Sequence, residues 1–149
     1  MTTGGAGAAE IMGIIITCDE TQILLYNLYC PMDILLSLEA MTINNTACMV
    51  VVISTANRET NSRGIEVEDW EIENNLFLIN APDNLPTFYS RRWQTTSTPD
   101  LAFTTNDLSP KTVRMVTKQL GDSDHRPVKL QVEFETICDT VRCRKPQHA

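Results

Sequence analysis

Ser123-Asp124-His125-Arg126-Pro127-Val128-Lys129-Leu130-Gln131-Val132-Glu133-Phe134 is the stretch on which the reading of this chain turns. From Val128 onward apolar and polar residues alternate, the period of a half-buried strand. An acid and an imidazole are thereby delivered together to the mouth of a strand. His125 is one of two histidines; the other, His148, lies in a polar terminal stretch. A carboxylate beside a histidine suits general acid–base or metal-assisted chemistry on a phosphate or acyl group. The competing reading is a surface turn with a capping Asp and an incidental His.

At 149 residues the chain is long enough for one domain with one modest core. No apolar run approaches the roughly 18–20 residues of a membrane-spanning helix. No N-terminal stretch reads as a secretory signal, so the expectation is an intracellular protein, nuclear or cytoplasmic, that is not secreted and has no membrane partner. The five cysteines (Cys18, Cys30, Cys48, Cys138 and Cys143) form no CxxC pair, which reads as reduced thiols. The net charge of −7 is unevenly spread. Residues 1–87 hold 12 acids and 2 bases; residues 88–149 hold 7 acids and 10 bases. Arg91, Arg92, Arg126 and Lys129 surround His125 in sequence, so a polyanion would favour that half.

Working outward, Gly13–Thr17 and Gln22–Leu28 read as two strands of a hairpin that Pro31 ends. Asp33 caps an expected helix to about Met41. The β-branched run Met49–Ile53 reads as a buried strand. The stretch 54–64 reads as irregular, and a helix is expected from about Ile65 to Asn74, with Ile65, Trp70 and Ile72 as its larger apolar residues. Leu76–Ile79 reads as another buried strand, followed by strands at Thr87–Tyr89, Leu101–Phe103 and Thr112–Leu120. In the last of these, Val113, Met115 and Val116 are the apolar positions. Residues 1–10 read as a disordered terminus, 11–135 as the domain and 136–149 as a polar tail. Strands dominate, with two helices between them, which gives an α/β or α+β class with mixed pairing.

Four polar groups recur at strand ends: Tyr29, Asn57, Asp100 and Asp124-His125. Strand ends are where a sheet aims side chains at a shared ligand. Four segments carry a resemblance. They are Asn27-Leu28-Tyr29-Cys30-Pro31; Asn61-Ser62-Arg63-Gly64 with Trp70 and Asn75-Leu76; Pro86-Thr87-Phe88-Tyr89 leading to Ser97-Thr98-Pro99-Asp100; and Ser123-Asp124-His125-Arg126-Pro127-Val128. In this order they resemble the endonuclease/exonuclease/phosphatase superfamily. Within it, the sequence is similar to the apurinic-type endonuclease domain of arthropod non-LTR retrotransposons.

The resemblance implies a sandwich of two mixed or antiparallel sheets packed face to face with flanking helices, here incomplete. It implies hydrolysis of phosphodiesters, DNA as substrate, Mg2+ or Mn2+ as cofactor and the reverse transcriptase of the parent element as a partner. By the same resemblance His125 contacts the scissile phosphate and helps activate water. Asp100 orients His125, Asp124 lies at the metal, and Tyr29 and Asn57 complete the catalytic set. Arg91, Arg92 and Arg126 would meet the phosphates.

The departures are equally specific. The family's Gly-Asp-x-Asn motif corresponds to Ser54-Thr55-Ala56-Asn57, so Thr55 stands where an acid is expected. The family's N-terminal Asn and metal-binding Glu have no counterpart in residues 1–20. A Mg2+ site tolerates lost carboxylates poorly, so the expectation is an impaired phosphodiesterase. The alternative is a catalytically inactive relic that keeps part of the fold and binds nucleic acid. A third reading is an unrelated α/β interaction module.

Overall fold

A computed structural model describes residues 9–18, 21–31, 38, 41, 43, 47–54, 61–120 and 122–134. Strand β1 (Glu10–Cys18) pairs antiparallel with β2 (Thr21–Cys30), from Glu10↔Tyr29 to Cys18↔Thr21. This is the expected hairpin, and β2 stops immediately before Pro31, which has no N–H for a further rung. Gly13 belongs to the close-packed part of this pair. A Cβ there would lie 2.9 Å from Tyr26 Cε1, so the Tyr26 ring occupies the space of a side chain.

Strand β3 (Cys48–Ser54) runs parallel to β2, with Leu24↔Cys48 and Tyr29↔Ile53 in register. A parallel neighbour requires a crossover. The helix expected in that crossover lies outside the described residues, apart from Leu38 and Met41, both buried in the core. Helix α1 (Asn61–Glu73) follows, then β4 (Leu76–Leu78), β5 (Phe88–Ser90), β6 (Thr95–Ser97) and β7 (Leu101–Thr105). A 3₁₀ turn (Ser109–Lys111) leads into β8 (Thr112–Val116), and β9 (Val128–Val132) closes the described chain. Of the terminus expected at 1–10, residue 10 already belongs to β1; residues 1–8, the expected tail 136–149 and residues 55–60 lie outside the described residues.

The strands form a five-stranded mixed sheet, order β1-β2-β3-β7-β4, and two two-stranded sheets, β5-β6 and β8-β9. Alternation along β2 and β3 divides the core. Leu28, Cys48, Val50 and Val52 face α1 and pack with Trp70, Leu76 and Phe103. Trp70 meets Phe103 edge-on, with ring centroids 5.8 Å apart. On the opposite face Ile23 and Met49 pack with Leu108 and with Leu130, Val132 and Phe134 of the β8–β9 side. The α+β class and the face-to-face sheets are as expected. The second sheet, however, is a single hairpin among the described residues.

Three local expectations need correction. Helix α1 begins at Asn61, four residues before Ile65. Ile65 and Ile72 are exposed, and Val67 and Trp70 form the packed side instead. Positions 67 and 70 are one turn apart and share a face, whereas 65 and 72 fall on the far side. The helix ends at Asn74-Asn75; Asn75 takes a left-handed φ of 51°, a role Asn fills in place of Gly. Strand β4 is a sheet edge, so Phe77 and Leu78 are 44% exposed and only Leu76 is buried. In β8 the alternation is opposite to the apolar pattern: Arg114 is buried, while Val113 and Met115 face solvent.

Candidate functional site

The site begins with a turn. Ser123 Oγ accepts a hydrogen bond from the His125 N–H at 3.1 Å, a local bond of the kind that makes Ser a turn residue. Ser123 thus makes the turn's side-chain bond, and the Asp124 side chain is directed elsewhere. Beyond the turn, residues 124–126 run antiparallel to residues 87–89. The Tyr89 N–H donates to Asp124 O at 2.8 Å, and the Arg126 N–H donates to Thr87 O at 2.6 Å. Phe88 and His125 form the bridge between them. His125 is therefore carried on a short ladder against β5.

Asp100 arrives from another direction. It lies just before β7 and one residue beyond the Val52↔Leu101 pair, hence opposite Ile53. Tyr29 is paired with Ile53 from the other side. Tyr29, Ile53 and Asp100 thus occupy one row at one end of the large sheet. With strands about 4.8 Å apart, Tyr29 and Asp100 lie on backbones roughly 10 Å apart. Asn57, expected beyond the same end of β3, lies outside the described residues, as does Thr55.

Asp100 and His125 meet directly. His125 Nδ1 lies 3.0 Å from Asp100 Oδ2, with Asp100 almost fully buried and His125 partly open. An ionised carboxylate can only accept, so Nδ1 carries the hydrogen. Nε2 then remains to act on a ligand, as acceptor on a neutral ring or donor on a charged one. Phe88 packs on the imidazole, with ring centroids 5.0 Å apart and planes at 60°.

The other expected residues are placed as follows. Asp124 is exposed, and its Oδ1 is 3.3 Å from Arg91 Nε. Arg92 is exposed in the β5–β6 turn, with its guanidinium 4.8 Å from the centre of the Trp93 ring. Arg126 differs from a solvent-facing phosphate ligand: it is half-buried and donates through Nη1 to Pro86 O at 2.6 Å. Tyr29 is 40% exposed, and Lys129 points outward from β9.

A polar scaffold beneath Asp100 has no counterpart in the sequence reading. The Asp100 carbonyl accepts from Asn80 Nδ2 and from Arg114 Nη2, each at 3.0 Å. Asn80 Oδ1 accepts from the Ala102 N–H at 2.9 Å, and Arg114 Nη1 donates to Asn84 Oδ1 at 2.7 Å. The Asp100 N–H donates to the buried Thr87 hydroxyl at 3.4 Å. Burial pulls the Arg114 guanidinium below its usual range, and the Asp100 charge opposes that shift. The only forewarning was a cation within an otherwise apolar strand, Thr112-Val113-Arg114-Met115-Val116.

The sequence model described as endonuclease-reverse transcriptase matches residues 23–129, a span that contains Tyr29, Asp100, Asp124 and His125. The chain belongs to the endonuclease-reverse transcriptase family. The chain is also similar in fold to the endonuclease domain of TRAS1, a telomere-specific non-LTR retrotransposon. The TM-score is 0.67 at 19% identity, over 84% of this chain and 64% of that one. The chain therefore spans a little under two thirds of that solved domain. No curated protein sequence matches it. The expected membership of the endonuclease/exonuclease/phosphatase superfamily, on the retrotransposon side, is borne out.

The endonuclease-reverse transcriptase family is typically dependent on a divalent metal. Among the described residues no three His, Cys, Asp or Glu side chains converge to hold an ion. Asp124 offers one exposed carboxylate, already paired with Arg91, and Asp100 is turned inward to His125. The described residues alone do not make up the oxygen-rich shell that Mg2+ requires. Among them, no helix is long and apolar enough to cross a membrane.

Proposed function

We propose that this chain is a DNA-nicking phosphodiesterase of the retrotransposon type, with reduced activity. The observation that carries the reading is the 3.0 Å contact between His125 Nδ1 and buried Asp100 Oδ2. A histidine whose inner nitrogen is held by a carboxylate presents its outer nitrogen in a defined direction. Nε2 of His125 can take a proton from an attacking water or bond a phosphate oxygen. Tyr29, at the same end of the sheet, supplies a hydroxyl for a second phosphate contact. Arg91 and Arg92, on the turn beside Asp124, supply positive charge for a DNA backbone.

Mg2+ or Mn2+ would be the cofactor of the reaction, with Asp124 at the metal and Asn57 in the catalytic set. Thr55 in place of an acid supports reduced activity, because a hydroxyl cannot supply a carboxylate. The partners are DNA and the reverse transcriptase of the same element, acting inside the cell. The test is conversion of supercoiled plasmid to the open circle with Mg2+ or Mn2+, with His125→Ala as the control. A rate no higher than that of the control would overturn catalysis by this chain.

The second reading is a nucleic-acid-binding relic. The Arg91–Asp124 contact favours it, because it neutralises the exposed carboxylate that a metal would use. Salt-dependent DNA binding with no nicking would support this reading, and gain of nicking in Thr55→Asp would mark the loss as recent and local.

A further inference from the structure

Strand β8 is built against its own apolar pattern. It buries the charged Arg114 at 5% exposure and leaves Val113 and Met115 at 50% and 38%. The hydrophobic effect alone would favour the opposite face. The difference is accounted for by what Arg114 touches. One amino group of the guanidinium donates to the Asp100 carbonyl oxygen at 3.0 Å, and the other donates to Asn84 Oδ1 at 2.7 Å. The planar fork spans two acceptors on separate loops, which a lysine cannot do.

We infer that Arg114 is a positioning residue of the site, which fixes the Asp100 backbone and holds its carboxylate toward His125 Nδ1. Asp100 precedes β7 and so lacks the strand ladder that would otherwise fix it. Asn80 and Arg114 together saturate its carbonyl. The buried cation also balances the buried carboxylate, and Asp100 acts electrostatically on Arg114. Buried charges persist where they are paired and hydrogen-bonded. The hydrogen bonds of Arg114 go to Asp100 O and Asn84 Oδ1, so its influence on the imidazole passes through Asp100. The effect on nicking rests on the nuclease reading; the effect on His125 does not.

The experiment is a two-bond 1H–15N spectrum of the full-length labelled chain in a His148→Gln background, where His125 is the only histidine. Plasmid nicking and thermal melting are measured beside it. In the parent, Nδ1 is protonated and Nε2 bare when the ring is neutral. Arg114→Met is expected to mix the two tautomers and to lower nicking by about 10–100-fold. Arg114→Lys keeps the charge but reaches one acceptor, and is expected to fall between the two. A lower melting temperature in Arg114→Met with unchanged His125 nitrogen shifts would overturn the inference, because a purely structural arginine behaves that way. If Arg114→Met does not fold, Asn84→Ala decides, since it loosens one end of the fork; an unchanged tautomer there also overturns it. A shifted tautomer in a chain whose parent never nicks upholds the inference and overturns the nuclease reading.

Discussion

Phe88 and His125 face each other across an isolated antiparallel bridge, with their rings 5.0 Å apart at 60°. The bridge places the His125 backbone, and the Phe88 ring limits the swing of the imidazole. Asp100 then holds one nitrogen. The histidine is thus set by three contacts, two from Phe88 of β5 and one from the strand-end residue Asp100.

Phe88→Ala should loosen that arrangement without removing a charged group. An aromatic pair of this geometry is worth about 0.5–1.5 kcal/mol beyond its buried area. Nicking should fall by roughly 3–10-fold, and Phe88→Leu should recover part of it. Rates measured on supercoiled plasmid would check this; a Phe88→Ala rate equal to the parent would show that Asp100 alone orients His125.

Asp100→Asn should be far more damaging. An amide can donate to Nδ1 and so select the tautomer with hydrogen on Nε2. A comparable exchange in a hydrolytic triad costs about 10⁴-fold, and a loss of ~10³-fold or more is expected here. Spectra of His125 should show the hydrogen moved to Nε2.

Asn80→Ala tests the scaffold. It removes the donor to Asp100 O and leaves the N–H of buried Ala102 without its 2.9 Å acceptor. An unsatisfied buried group costs about 1–3 kcal/mol. At roughly 2–4 °C per kcal/mol for a domain of this size, the melting temperature should fall by roughly 2–12 °C. A scanning calorimetry trace would read it.

Cys48 predicts an alkaline limit to stability. Burial, with Asp107 adding to it, pushes its thiol from 9.0 up to about 11. The unfolded chain releases this proton at the lower value. Stability should therefore be intact below pH 9 and fall as pH rises from 9 toward 11. Two units correspond to roughly 2–3 kcal/mol. Urea midpoints across that range should show the decline, and Cys48→Ala should flatten it.

Arg91→Ala and Arg92→Ala should each weaken DNA binding alike across sequences. Each should also reduce the slope of log K against log[salt] by about 0.9 if it neutralises one phosphate. Binding isotherms at several salt concentrations would test this. An unchanged slope for Arg91→Ala would mean that Arg91 stays with Asp124 when DNA binds.

Much of the framework was legible because it is written in local periodicity. Strands β2, β3, β7 and β9 follow apolar runs or strict alternation, and Pro31 marks the end of β2. The Ser123-Asp124-His125 turn, and Asp100 as the partner of His125, could be named from motif order. Where a polar residue sits on an apolar strand, periodicity misleads: Arg114 is the buried member of β8, and Val113 and Met115 are not. Helix α1 was placed late because its first turn is polar and its packed side rests on Val67 and Trp70.

By itself the sequence determined the α+β class, the strand-end placement of Tyr29, Asp100 and His125, and the family to which the chain belongs. Only the tertiary structure decided which atoms meet. It set His125 Nδ1 on Asp100 Oδ2, turned Arg126 to Pro86, paired Arg91 with Asp124, and placed Arg114 beneath Asp100. The physical reason is range. Periodicity and turn chemistry act over a few residues of one chain segment. The partners of a buried charge are chosen by whatever donors and acceptors folding brings within about 3 Å, and those lie 14 to 40 residues away.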